Sequence, residues 1–293
     1  MANILYGVSG EGSGHSSRSK EILSHLSKKH KVHVITYGKA YPYLEKYFPT
    51  TKIYGLHLSF KDNKIEYVKT FMNNLNNFVS SFEDFKNLRK LLKNFKPDLI
   101  ITDFEPTSVI LSNLYNVPLI SIDNQHRITN LKIEVPDKYK KEFFVCKSVI
   151  KAIVPDANYY LATSFFKEKL NDKKTFIAEP IIREDVMKLI PSNKGHVLVY
   201  QTSKSNKKVL KELKSVDQKF IIYGFDVSKK DKNLIFKKFS TSGFLNDLAS
   251  CKAVITNGGF TLMTEALYLK KPVLSEPIQG QFEQILNAYY LNK

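Results

Sequence analysis

The chain has 293 residues, enough for two domains of ordinary size, and its 43% hydrophobic and 25% charged residues exclude a disordered polyelectrolyte. No apolar run approaches the ~18–20 residues of a membrane span, no signal-peptide pattern opens the chain, and the two cysteines, Cys146 and Cys251, lack metal-ligand spacing and suit a reducing cytoplasm. The formal charge of +17 admits nucleic acid, an anionic membrane surface or a phosphorylated substrate as partners; because the excess is spread over both halves, no specific nucleic acid is expected.

Short β-branched runs alternate with helical patterns. Residues 3–8 read as a strand, 17–29 as a helix with Ile22, Leu23 and Leu26 on one face, 32–36 as a strand and 52–58 as a weaker one. Residues 66–95 read as one helix, with Phe71, Leu75, Phe78 and Phe82 at helical spacing; 98–102 and 118–122 are further strands. A linker over 181–192 precedes a second round: strands at 196–200, 219–223, 253–256 and 272–275, and helices at 207–213, 261–269 and 284–291. Such alternation predicts two doubly wound parallel sheets, in an N-terminal domain over 1–187 and a C-terminal domain over 188–293. The uncapped last helix suggests a chain shortened at its C-terminus.

The first strand runs into Gly10, Glu11, Gly12, Ser13, Gly14 and His15, then a helix. Glycines between a strand and a helix let backbone approach a ligand. His15 stands where a dinucleotide fingerprint needs its third glycine, and no Gly-Lys-Ser/Thr follows. Doubly wound order sets the strand at 98–102 beside strand one, so Asp103 emerges at the same edge as His15. A histidine oriented by a carboxylate is a general base for a hydroxyl. Glu11 and Glu105 are competing carboxylates, and Asp103 as the cap of the next helix is the plain alternative.

A second glycine loop, Asn257, Gly258, Gly259, Phe260 and Thr261, opens a helix carrying Glu265; Pro272, Pro277, Gln281, Glu283, Gln284 and Asn287 follow. A Gly-Gly turn at a helix start presents N–H groups and a positive dipole end, suited to a diphosphate. A carboxylate on the next turn suits the two hydroxyls of a ribose.

On these residues the sequence resembles the GT-B glycosyltransferases, most nearly glycosyltransferase family 28, and also the plant and animal UDP-glycosyltransferases. The resemblance implies two Rossmann-like domains facing across a cleft, with the N-terminal one on the acceptor side and the C-terminal one holding a nucleotide sugar, expected to be a UDP-sugar. The donor residues it implies are Gly258, Gly259, Phe260, Thr261, Glu265 for the ribose, and Gln281, with Gly280 standing where relatives carry an acid and Glu283 or Gln284 able to replace it. It also places the base near 239–244, including Phe244, and phosphate contacts at Thr202 and Ser203. The N-terminal loop with Gly12, Gly14 and His15 resembles the family's acceptor-side loop.

Eight residues before Glu265 stands Asn257, so the paired glutamates of retaining relatives are missing, and no Asp-x-Asp occurs. Direct displacement follows: His15 deprotonates an acceptor hydroxyl and the helix at Gly259 stabilises the departing diphosphate. No metal and no resident cofactor are expected. Asn124, Gln125 and His126, after the strand at 118–122, are the candidate acceptor contacts. The stretch 137–151 mixes Lys138, Lys140, Lys141, Lys147 and Lys151 with Phe143, Phe144, Val145 and Val149, a pattern fit for an anionic lipid surface and a lipid-linked or other glycan acceptor. The location expected is the cytoplasm or the cytoplasmic face of the membrane. Two other readings share these residues, a UDP-sugar 2-epimerase on related architecture and a non-catalytic nucleotide-sugar or polyanion binder.

Overall fold

A computed structural model describes residues 1–11, 13–55, 60–61, 64–65, 82–201 and 207–293. The chain divides into two compact units, Met1–Ser59 with Ile65–Ile181 and Phe60–Lys64 with Ile182–Lys293, so the main break follows Ile181. That is earlier than 187, because Ile182, Val186 and Leu189 pack into the second unit's core. The expected linker therefore belongs to the second unit and contains a short helix, Glu184–Met187.

The first unit is a seven-stranded parallel sheet. Its strands are β1 (Asn3–Val8), β2 (Lys31–Thr36), β3 (Thr50–Lys52), β6 (Leu99–Asp103), β7 (Leu119–Asp123), β8 (Tyr159–Thr163) and β9 (Thr175–Ala178), in the order β3-β2-β1-β6-β7-β8-β9. A separate two-stranded ribbon joins β4 (Phe60–Lys61) to β5 (Lys64–Ile65). Side chains alternate across the sheet, so Leu5, Ile35 and Ile100 enter one core and Ile4, Tyr6, Val8, Val34 and Ile101 the other. Burial on both faces explains why these strands read as continuous apolar runs.

The helices are α1 (Ser13–Leu26), α2 (Tyr41–Leu44), α3 (Phe82–Phe95), α4 (Pro106–Tyr115), α5 (Arg127–Asn130) and α6 (Lys140–Ile153). Helix α1 starts earlier than expected and so includes His15. Of the long helix expected over 66–95, residues 66–81 lie outside the described residues; Leu88 and Leu92 of α3 are buried in the first core. Register pairs Val8 with Asp103, which sets the C-terminal ends of β1 and β6 side by side. The short β8 and β9 were not read from the sequence.

The second unit continues with α7 (Glu184–Met187), β10 (Val197–Tyr200), α8 (Lys207–Lys214), β11 (Phe220–Tyr223), β12 (Lys229–Asp231), β13 (Leu234–Phe236), α9 (Thr241–Ser250), β14 (Ala253–Thr256), α10 (Phe260–Tyr268), β15 (Val273–Ser275) and α11 (Phe282–Asn292). Its sheet order is β12-β13-β11-β10-β14-β15, parallel except for β12. The hairpin β12–β13 carries no strong periodicity and was also not read.

Glu105 is fully buried and caps α4, accepting from the backbone N–H of Thr107 at 2.8 Å and of Ser108 at 2.7 Å. Burial nevertheless pushes its carboxyl above the usual range, outweighing those bonds. Here the cap is Glu105, not Asp103, and Glu105 is thereby removed as a competing base. The start of α4 crosses β1 so closely that a Cβ on Gly7 would lie 2.4 Å from Ser108 Oγ, which is why a glycine interrupts that strand. Glu105→Ala leaves the N–H groups of Thr107 and Ser108 without their acceptor and should lower unfolding stability by about 1–2 kcal/mol. Glu105→Gln keeps an acceptor and should lose less. Denaturant unfolding of both variants checks this, and equal stability of Glu105→Ala and the parent would refute the cap's importance.

Candidate functional site

The C-terminal ends of β1, β6 and β7 carry a buried polar cluster. His15, on the first turn of α1, places Nδ1 2.8 Å from Asp103 Oδ1. Asp103 is the last residue of β6 and has no exposed surface. It also accepts from Ser19 Oγ at 2.8 Å, from Arg18 Nε at 2.9 Å and from Arg18 Nη2. Arg18 Nη1 donates onward to Asn124 Oδ1, at the end of β7. Burial alone would raise the Asp103 carboxyl; the Arg18 guanidinium, and then His15, reverse that and hold it below its usual value.

His15 Nδ1 lies between two partners of opposite hydrogen-bonding character. Arg18 Nη2 lies 2.8 Å from His15 Nδ1, but a guanidinium has only donors and an ionised carboxylate only acceptors. With the ring proton on Nδ1, both groups donate to Asp103 and Nε2 keeps its lone pair. The side chain is 14% exposed. Phe104, at φ 57°, turns the chain sharply between Asp103 and Glu105, and its ring lies 6.5 Å from that of His15 at an interplanar angle of 14°. A bulky residue in the left-handed region is strained and is held there by its surroundings. A histidine held in this way by a buried carboxylate can serve as a general base.

The neighbouring candidates fall differently. Gly14 lies in the first turn of α1, whereas Gly12 is outside the described residues. Glu11 is half-buried on the loop. Asn124, Gln125 and His126 are all buried. Asn124 serves Arg18. His126 sets Nδ1 2.6 Å from Asp123 Oδ2, the atom to which Ser121 Oγ also donates at 2.6 Å, and its ring lies 4.6 Å from that of Tyr160. The sequence reading missed Arg18 and Arg127, the latter fully buried with its guanidinium 5.3 Å from the Phe166 ring. A cavity of about 440 Å³ lined by Ser112, Asn116, Asp156 and Asn158 opens at the start of β7 and β8, the sheet edge opposite His15.

In the second unit Gly258 has φ 87°, and a Cβ there would meet Ser275 Oγ at 2.7 Å, so only glycine fits. Asn287 Nδ2 donates to Gly258 O at 2.8 Å, and Asn257 Nδ2 to Gln201 Oε1 at 3.1 Å and Glu276 O at 3.2 Å. Gln284 Oε1 accepts from Ile278 N at 2.9 Å. These amides, Gln284 included, build the loop. Gly259 is the N-cap of α10 and Thr261 is half-buried in its first turn, which presents N–H groups with no side-chain cap. Gln281 and Glu283 begin α11 and are half-buried. Phe260 and Phe244 are buried, Phe244 in the core; beside it Phe239, 51% exposed, sets its ring 5.4 Å from Phe244. Thr202 and Ser203 lie outside the described residues.

Glu265 is buried, and Arg183 holds both of its oxygens, Nε to Oε1 at 2.5 Å and Nη2 to Oε2 at 2.6 Å. Nothing in the spacing around Arg183 marks it; only folding brings residues 82 apart in the chain together. Among the described residues no three His, Cys, Asp or Glu side chains gather to hold a metal, and no helix is long and apolar enough to cross a membrane.

A family model described as glycosyl transferase family 1 matches residues 2–293. An uncharacterised glycosyltransferase of Methanosarcina mazei is 27% identical, over 97% of this chain and 82% of its own length, and one of Methanosarcina acetivorans is 25% identical over the same shares. Among solved structures, the glycotransferase of kitacinnamycin superposes with a TM-score of 0.65 at 14% identity, covering 99% of this chain and 83% of that one. UGT89C1 of Arabidopsis thaliana, complexed with UDP-L-rhamnose, superposes at 0.61 and 14% identity, covering 98% and 82%. The fold is thus that of the GT-B glycosyltransferases, and the chain belongs to glycosyl transferase family 1.

Proposed function

We propose that this glycosyltransferase moves a sugar from a UDP-sugar to a hydroxyl acceptor with inversion at the anomeric carbon and without a metal or resident cofactor. The observation that carries the reading is the 2.8 Å contact of His15 Nδ1 with buried Asp103, which leaves Nε2 as a base. Nε2 takes the acceptor proton as the hydroxyl oxygen attacks the anomeric carbon. The bond to the diphosphate breaks, and the leaving group's charge is met by the N–H groups of α10 after Gly259. Arg183 fixes the Glu265 carboxylate in orientation, and its remaining lone pairs accept from the ribose hydroxyls. Phe239, with the buried Phe244 behind it, offers a face for the base. The UDP-L-rhamnose named with the Arabidopsis neighbour and the UDP-2fluoro-glucose named with the Phytolacca americana UGT2 neighbour support a uridine donor.

For the acceptor we favour a glycan precursor on a lipid. Along α6 only Ile150 is buried, while Phe144 is 61% exposed among Lys140, Lys141, Lys147 and Lys151. Such a face suits anionic headgroups, each lysine near the surface contributing about 1 kcal/mol.

His15→Ala should cut turnover about 10²–10⁴-fold with little change in donor affinity, and the parent should keep its activity in a metal chelator. Near-normal turnover of the variant removes the base, and loss in chelator restored by magnesium or manganese removes the metal-free scheme.

UDP at one hundred times its dissociation constant should stabilise the protein by about 2.7 kcal/mol, and ADP or GDP at the same concentration should give less. Glu265→Gln should weaken UDP binding by about 1.5–3 kcal/mol. It also strands partly buried Arg183, so the double variant Glu265→Gln, Arg183→Met is the decisive one. It should fold better than the single variant and still bind UDP weakly; normal affinity there would show that Glu265 serves only the fold.

The protein should sediment with vesicles containing anionic lipid and not with neutral ones. Lys141→Glu with Lys147→Glu should reduce that binding at least about tenfold by the same per-lysine contribution. Equal binding of parent and double variant would remove the membrane surface from the reading.

A further inference from the structure

Asp103 is asked to do something that its position opposes. It is fully buried at the end of a central strand, where a carboxyl group favours its neutral form. A neutral Asp103 would donate its own proton to His15 Nδ1, and the ring proton would move to Nε2, the atom that has to accept. A dyad alone in this place would thus gain a proton and lose its function. Arg18 is a third member of the cluster, itself buried, with Nε and Nη2 on the two oxygens of Asp103 and Nη1 on Asn124. It lies three residues after His15, so one turn of α1 delivers base and guanidinium to the same carboxylate.

We propose that Arg18 is a positioning residue of the transfer reaction, holding Asp103 ionised and turned toward His15 so that His15 Nε2 remains the proton acceptor at neutral pH. The inference rests on the reading of His15 as the base. Its content is that Arg18 acts through Asp103 and touches neither sugar nor acceptor. The tie to Asn124 anchors the guanidinium to the neighbouring strand, so Arg18 cannot follow solvent away from the carboxylate. The titratable groups around Asp103 are His15 and Arg18 on α1, Tyr6 on β1, Glu105 beyond it, and Asp123 with His126 at the end of β7. Of these Arg18 is the fixed cation in contact with it.

The sign of the pH effect follows. Removing a buried cation favours uptake of a proton by the Asp103–His15 pair. The active, deprotonated pair is then reached only at higher pH. For Arg18→Met the acidic limb of the kcat profile should therefore move upward by about one pH unit or more, with turnover at neutral pH falling at least about tenfold and recovering as pH rises. Arg18→Lys, which keeps the charge but not the fork, should shift the limb less. UDP affinity should be unchanged in both.

Arg18→Met leaves Asp103 without its counter-charge and can fail to fold, so the comparison is repeated where that charge is gone. Asp103→Asn and Asp103→Asn with Arg18→Met should have the same kcat, because Arg18 then has no carboxylate to act through. A further multiplicative loss in the double variant would overturn the proposal, as would an unshifted acidic limb in a folded Arg18→Met. His15→Ala separates the two levels. If it is inactive while Arg18→Met behaves like the parent, the base stands and the role of Arg18 falls. If His15→Ala is active, the base reading itself falls.

Discussion

The burial of Asp103 is the constraint around which the first unit is arranged. Its strand lies between β1 and β7, so the carboxylate is shut off by α1 and by both neighbouring strand ends. Isolated in that setting, a charge is expensive. Ser19, His15 and two nitrogens of Arg18 make up the lost hydration, and each reaches it from α1. The first turns of that helix are consequently polar on the face where packing alone would favour apolar residues: Ser16, Ser17, Arg18 and Ser19 are all buried. The turn at Phe104 with its positive φ is the local strain that accompanies this, separating a carboxylate that serves the site from one, Glu105, that caps a helix.

The second unit meets a related problem with neutral groups. The glycine pair at the start of α10 is held in place by side chains around it. Asn257, Asn287 and Gln284 fix the loop by bonding backbone atoms from opposite sides. Here buried side-chain amides build the frame of a backbone loop, whereas in the first unit side chains build the frame around another side chain, His15. The difference matches the chemistry proposed for each half, proton transfer needing a titratable atom and diphosphate binding needing fixed dipoles.

Two ion pairs show how buried charge is used. Arg18–Asp103 and Arg183–Glu265 each place a guanidinium fork on a carboxylate with almost no exposure. Such pairs contribute little net stability compared with an apolar replacement, because desolvation offsets their attraction. What they provide is geometry: a carboxylate held in one orientation and one charge state, which is what a histidine base or a ribose requires of it.

The sequence by itself determined the alternation of strands and helices, the doubly wound class, both glycine loops and the approach of His15 to Asp103. These rest on local periodicity and on steric demands that a single residue type can satisfy. Doubly wound order sets β6 beside β1, so Asp103 was legible as well. Only the tertiary structure decided which polar residues pair with which. Asn124, His126 and Gln284, read along the chain as site residues, are each buried and bonded to a neighbour. Arg18 and Arg183 carry no spacing signal, because their partners lie 85 and 82 residues away and meet them only when the sheets have formed. The short strands β8, β9 and β12 escaped notice for a related reason: a few residues of weak periodicity become strands only by pairing with a neighbour already in place.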